Sequence, residues 1–140
     1  MSIQLEIIDN EPHFQIHASL DGIYAGYAYF ELKGADMFLS DICVREHEVV
    51  PSRKWWQLPK LSQPRKLREQ GIGTAMISKV IEEAQIRQCE RIYGYITIDS
   101  IRDNPHLDRW YEKRGFLVQP SDGNTWLNTE IMVEYPCAFT

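Results

Sequence analysis

A chain of 140 residues with 44% hydrophobic and 25% charged residues has the size and composition of one globular domain, expected to span 1–140. No window approaches the ~20 apolar residues that cross a bilayer, and the first ten residues are acidic where a secretory leader is basic, so a cytoplasmic protein is expected. The net charge of −5 is uneven: residues 45–70 carry seven basic and three acidic side chains, a net +4, and leave −9 for the rest, which argues for one local anionic partner or a solvated loop and against general affinity for nucleic acid.

Ile3 to Ile8 reads as a strand, and Glu11-Pro12 turns the chain. Phe14, Ile16 and Ala18 alternate with polar neighbours as in a second strand. Asp21-Gly22 is a hairpin signal leading into Ile23 to Leu32, and Gly34-Ala35-Asp36 turns into Met37 to Val44. Four strands joined by short turns predict an antiparallel meander. Residues 45–67, with Pro51, Pro59, Pro64 and the pair Trp55-Trp56, show no period and read as a long excursion.

From Thr74 the period changes. Met76, Ile77, Val80, Ile81 and Ala84 make one helical stripe, with Lys79, Glu82, Glu83 and Arg87 outside it. Arg91 to Ile98 reads as a strand. Asp103-Asn104-Pro105 reads as a helix start, with Asn104 as N-cap and Pro105 in the first position; Leu107, Trp110, Tyr111 and Arg114 share a face, and Gly115 ends the helix. Phe116 to Val118 and Thr129 to Tyr135 complete the strands, with a turn at Ser121 to Asn124 between them. The pattern is α+β on one sheet.

Cys43, Cys89 and Cys137 lack metal-ligand spacing and read as small buried hydrophobes; His13, His17, His47 and His106 are scattered, so no metal site is expected.

Arg68-Glu69-Gln70-Gly71-Ile72-Gly73-Thr74 lies just before the stripe helix. Two glycines let backbone approach a ligand closely, and a helix start offers unpaired N–H groups to phosphate; a purely structural loop explains the same residues. A P-loop is excluded because Thr74-Ala75 follows Gly73 where Lys-Ser/Thr is required. The dinucleotide fingerprint is excluded by Met76 in place of its third glycine and by the antiparallel opening.

Arg68-x-x-Gly71-x-Gly73 resembles the Arg/Gln-x-x-Gly-x-Gly/Ala signature of the GNAT N-acetyltransferase superfamily. The strand ending Asp41-Ile42-Cys43-Val44 resembles the family's central strand, and Asn104-x-x-Leu107-x-x-Trp110-Tyr111-x-x-x-Gly115-Phe116 resembles its Asn-x-x-Ala-x-x-Phe-Tyr-x-x-x-Gly-Phe block. The resemblance covers roughly Asp21 to Phe116. It implies a mixed, mostly antiparallel sheet flanked by helices, and acetyl-CoA as acyl-donor cosubstrate with an amine as acceptor. It further implies that the backbone of Ile42, Cys43 and Val44 pairs with the pantetheine amides. The resemblance also implies that the amides of Gln70, Gly71, Ile72, Gly73 and Thr74 would hold the pyrophosphate beside Arg68, that Asn104 would bond the pantetheine arm or orient nearby groups, and that Tyr111 would place its hydroxyl at the thioester sulfur.

The chemistry supports these roles independently. A phenol with pKa ~10 stays protonated at neutral pH beside a thiol of pKa ~8.5, and a backbone N–H such as that of Val44 suits a developing oxyanion. Equally, Tyr111 fits a core aromatic, Asn104 a helix cap and Arg68 a solvated side chain.

The sequence departs from the family in two places. Val44 and Arg68 are 23 residues apart, an insertion at 45–67, and the two helices usually found between the first strands have room here only for a turn. The acceptor pocket must come from the insertion, from Ser121 to Asn128, or from another chain. Asp41, Glu31, Glu46 and Asp99 are equivalent candidates for a general base. A homodimer through an exposed final strand is one further expectation. The rival readings are a non-catalytic acyl-CoA-binding or protein-interaction module on the same fold, and a nucleic-acid binder using Trp55-Trp56, which the acidic remainder opposes.

Overall fold

The computed structural model describes residues 2–46, 66–120 and 131–137, the side chains of 98, 99, 101 and 120 excepted. The insertion containing Trp55 and Trp56, and the turn at Ser121 to Asn124, therefore lie outside the described residues.

Seven strands form one sheet in the order β1-β2-β3-β4-β5-β7-β6. β1 (Ile3–Asn10), β2 (His13–Leu20), β3 (Ile23–Lys33) and β4 (Asp36–Val44) make the expected antiparallel meander. The chain passes from β1 to β2 through the two residues Glu11 and Pro12, with no helix between them. After α1 (Ile72–Ile86), β5 (Arg91–Ile96) pairs parallel with β4, the single parallel pairing among the described residues, because a crossover through a helix returns the chain in the same direction. β6 (Leu117–Pro120) and β7 (Ile131–Pro136) close the sheet antiparallel.

Alternation along the strands sorts the sheet into two faces. Phe14, Ile16, Ala18, Leu20, Ala28, Phe30, Met37, Leu39, Ile92 and Val133 are buried on one face, against Ile72, Met76, Ile77, Val80 and Ala84 of α1. Each fully buried aliphatic or aromatic side chain there contributes about 1.5–3 kcal/mol. Cys89 and Cys137 are buried members of this core, and Cys43 is half-buried. α3 (Leu107–Glu112) lies against β6 and β7 on the same side. Among the described residues no helix covers the other face.

Two expectations fail here. The segment read as the end of β5 and the start of the next helix is instead a separate helix, α2 (Ile98–Asp103). The Thr97 hydroxyl accepts a hydrogen bond from the Ser100 amide at 3.2 Å, so a cap immediately after the strand turns the chain before Ile98 can extend it. Asn104 is consequently the C-cap of α2, and α3 starts behind His106; the predicted N-cap role of Asn104 is wrong. Second, β7 lies between β5 and β6, so the final strand is no exposed edge and gives no ground for a dimer.

β4 carries a bulge. Tyr29 pairs with Asp41 and Phe30 with Leu39, leaving Ser40 unmatched, with its hydroxyl donating to the Tyr29 carbonyl at 2.9 Å. The pairing with β5 covers only Asp36, Met37 and Phe38, so β4 parts from β5 where the bulge increases its twist.

Gly26 sets how closely β3 and β4 approach. A Cβ built there meets the Cys43 carbonyl oxygen at 2.3 Å, a backbone atom that cannot swing away. Gly26→Ala is expected to destabilise the protein by about 1–3 kcal/mol in urea unfolding followed by circular dichroism; an unchanged midpoint would contradict this packing.

Candidate active site

The split between β4 and β5 organises the site. The Arg45 amide bonds the Ala25 carbonyl at 2.7 Å, and the alternation of an antiparallel ladder then turns the N–H and C=O of Ile42 and Val44 away from β3, toward the split. The same alternation points the backbone of Cys43 at Tyr27 of β3. Ile42 therefore offers both its edge groups and Val44 its N–H, unclaimed among the described residues, and Cys43 offers neither. The Val44 carbonyl accepts from Arg68 Nε at 3.2 Å, which joins the end of β4 to the glycine loop.

Beyond that junction the loop bends twice through the left-handed region, at Glu69 (φ 66°) and Gly71 (φ 83°), before α1 begins at Ile72, two residues earlier than the periodicity suggested. Gly71 is the N-cap and no side chain caps the helix; its first turn holds no acidic residue. The amides of Ile72, Gly73 and Thr74 thus lack intrahelical partners, at the positive end of a 15-residue helix. Gln70 is half-buried beside them and Arg68 is exposed.

The two glycines have different reasons to be glycine. At Gly71 the constraint is backbone: an added Cβ meets nothing closer than Ile3 Cδ1 at 4.0 Å, but φ is positive. At Gly73 it is packing, since a Cβ would stand 3.0 Å from Trp110 Cζ2 and 3.6 Å from Val44 Cγ2. Trp110 is in turn held by Arg114, whose guanidinium stacks on the indole at 3.9 Å and whose Nε donates to the Thr74 hydroxyl at 3.1 Å. The sequence placed Arg114 on the α3 face, but its link to the start of α1 joins residues 40 apart and has no local signal.

Tyr111 lies in the core, 5% exposed, edge-on to Trp110 at 5.0 Å and to Phe116 at 5.3 Å. No side chain among the described residues bonds its hydroxyl. Burial, helped by the negative field of Asp41, pushes its pKa well above the ordinary value for tyrosine. Asp41 is exposed on the opposite face of the sheet, where it accepts a hydrogen bond from the Tyr27 hydroxyl at 3.0 Å. That bond, with burial, raises the Tyr27 pKa to about 12.

The other predicted positions are not brought together. Asn104 is exposed between α2 and α3, its carbonyl accepting from the Leu107 amide at 3.1 Å. Of the base candidates, Glu31 is engaged by His13 and Lys33, Glu46 is exposed after β4, and the side chain of Asp99 lies outside the described residues.

The model of the Acetyltransferase (GNAT) family matches residues 2–116. The chain belongs to the GNAT acetyltransferase family. Among solved structures it is similar to a GNAT family acetyltransferase from Elizabethkingia anophelis with acetyl-CoA bound, at 11% identity and TM-score 0.64, covering 96% of this chain and 97% of that one. It is also similar to nourseothricin acetyltransferase (20%, TM-score 0.61, covering 93% and 68%). A third likeness is to the PaiA N-acetyltransferase of Thermoplasma acidophilum in complex with coenzyme A (14%, TM-score 0.62, covering 89% and 61%). At these identities the likeness establishes the fold. No curated protein matches the chain.

Because the strain at Gly71 is conformational, Gly71→Ala is expected to lower the stability of the ligand-free protein by about 1–2 kcal/mol, and Gly71→Asn, which tolerates positive φ, by less. Thermal unfolding of the two variants checks the order.

Proposed function

We propose that this GNAT domain transfers the acetyl group of acetyl-CoA to an amine by direct attack. The observation that carries the reading is the early parting of β4 from β5, which leaves the Ile42 edge groups and the Val44 N–H without a strand partner beside the glycine loop.

The residues fit the cosubstrate. Pantetheine carries two amides in an extended arm, which an unpaired strand edge binds as an added strand would. The amides of Gly71, Ile72, Gly73 and Thr74, flanked by Gln70, suit a diphosphate, because an uncapped helix start attracts anions. Arg68 supports that loop through its bond to Val44 and adds positive charge. Of the strand residues, Ile42 and Val44 are assigned the pairing and Cys43 only a spacing role. Asn104 is left with a weaker claim on the pantetheine arm, since it caps α2.

In the reaction, the neutral amine nitrogen attacks the thioester carbon, a C–N bond forms and the C–S bond breaks with its electron pair leaving on sulfur. The Val44 N–H, turned into the split, would bond the carbonyl oxygen as charge develops on it. A thiol of pKa ~8.5 is a stronger acid than a buried phenol, so Tyr111 would keep its proton and stabilise the departing sulfur by donating a hydrogen bond. The proton released by the amine passes to the thiolate through water.

Hydrogen bonds to charged groups contribute about 1.5–3 kcal/mol, so Tyr111→Phe is expected to lower kcat roughly 10- to 100-fold while leaving the dissociation constant for acetyl-CoA nearly unchanged. Titration calorimetry with acetyl-CoA and thiol release over an amine panel measure the two quantities. Since burial raises the Tyr111 pKa, the phenol stays protonated throughout an assay up to about pH 10 and should impose no alkaline limb below it. Binding of acetyl-CoA with no turnover on any amine would favour a non-catalytic acyl-CoA-binding module.

A further inference from the structure

The sheet face turned away from α1 bears a layer of aromatic rings across three strands. Tyr27 and Tyr29 of β3 stack with centroids 4.5 Å apart, and Phe38 of β4 stacks on Tyr93 of β5 at 5.2 Å. Tyr95 meets Phe38 edge-on at 6.4 Å. Tyr29 and Tyr95 are 37% and 45% exposed, and together with the rings they touch they form a contiguous aromatic surface that no helix covers among the described residues.

This layer already attracts cations. Lys33 Nζ stands 4.3 Å from the Phe38 centroid, the Arg91 guanidinium 4.6 Å from that of Tyr93, and the Arg45 guanidinium 4.6 Å from that of Tyr24. These occupy the margins. Tyr27, Tyr29 and Tyr95, near the middle, hold no cation among the described residues. The carboxylates divide in the same way. Glu31 is paired with His13 and Lys33, and Asp36 and Glu134 with Arg91. Among the described residues Asp41 has no cationic partner, and its one side-chain hydrogen bond is from the Tyr27 hydroxyl to Oδ2, with none to Oδ1.

We propose that Tyr27, Tyr29 and Asp41 form a subsite for an alkylammonium group, and that the acceptor carries this second positive charge in addition to the amine that reacts. The role in acceptor choice rests on the acetyl-transfer reading; the ammonium subsite does not. Asp41 supplies the counter-charge and a hydrogen-bond acceptor, and the rings supply a surface that favours a partly desolvated cation. The position suits the task. Asp41 lies three residues, about 10 Å, beyond the last β4–β5 pair, on the face of the sheet opposite Tyr111. An ammonium held there leaves its carbon chain free to reach the split from the outer face, while Tyr111 serves the split from the core. The reacting amine has to be neutral, whereas the anchored one keeps its proton at pKa ~10.4 unperturbed, so the two ends of a diamine are used differently.

The test compares α,ω-diamines of three to six carbons with monoamines of the same length. Wild type is expected to favour the best diamine in kcat/KM by about tenfold or more, chiefly through KM. Asp41→Asn, which can still accept from Tyr27, should reduce that preference to near one. Tyr29→Leu should reduce it about threefold, and Tyr29→Phe, which keeps the ring face, should restore it. An undiminished preference in Asp41→Asn, or a defect of that variant confined to kcat, would overturn the subsite.

A second readout needs no turnover. Hexane-1,6-diamine alone, titrated into the protein, should shift the ring resonances of Tyr27 and Tyr29 in wild type and not in Asp41→Asn. Shifts without acetylation of any amine would sink the acetyl-transfer reading and leave the subsite standing. Acetylation with neither shift nor diamine preference would sink the subsite alone.

Discussion

β4 and β5 stay hydrogen-bonded for three residue pairs and then separate. In the interior of a sheet each strand edge is normally satisfied by its neighbour, and an unsatisfied one is costly unless water or a ligand reaches it. The extra residue at Ser40 accounts for the separation, because a bulge adds twist to one strand that its parallel neighbour does not share. From that point the backbone of Ile42 and Val44 is directed at an opening instead of a strand. The glycine loop, α1 and α3 are arranged around the same opening.

Several contacts hold the opening in shape. Arg68 bonds the Val44 carbonyl, Leu67 bonds the Glu46 carbonyl at 2.9 Å, and Arg114 links the start of α1 to α3 while stacking on Trp110. Trp110 in turn packs so closely on Gly73 that an added Cβ would press on its ring at 3.0 Å. A substitution at one of these positions therefore acts on strand end, loop and helix together, and effects of neighbouring changes are not expected to add.

The two faces of the sheet have been given different work by their side chains. The inner face is aliphatic and closed by α1, with Tyr111 buried at its far side. The outer face is aromatic, half-exposed and dotted with cations lying on rings. Tyr111 and Asp41 lie on these opposite faces. Their electrostatic coupling raises the phenol pKa in the same direction as burial does, which keeps Tyr111 a hydrogen-bond donor.

Much of the fold was legible locally. Strict alternation in Phe14, Ile16 and Ala18, turn residues at Asp21-Gly22 and the stripe from Met76 to Ala84 each encode their element within a few residues, and Arg68-x-x-Gly71-x-Gly73 encodes the loop. Family and cosubstrate followed from those short motifs, since a tight turn or a helix start depends on neighbours in the chain. What the tertiary structure decided depends on residues distant in sequence. Asn104 became the C-cap of α2 instead of an N-cap because Thr97 started a helix earlier, and the final strand became internal because β6 paired outside it. The bulge at Ser40 and the meeting of Tyr27 with Asp41 depend on register between strands, which no window of one strand contains. Sequence carries the local geometry of each piece; only packing determines which strand edge is left open and which side chains face each other across it.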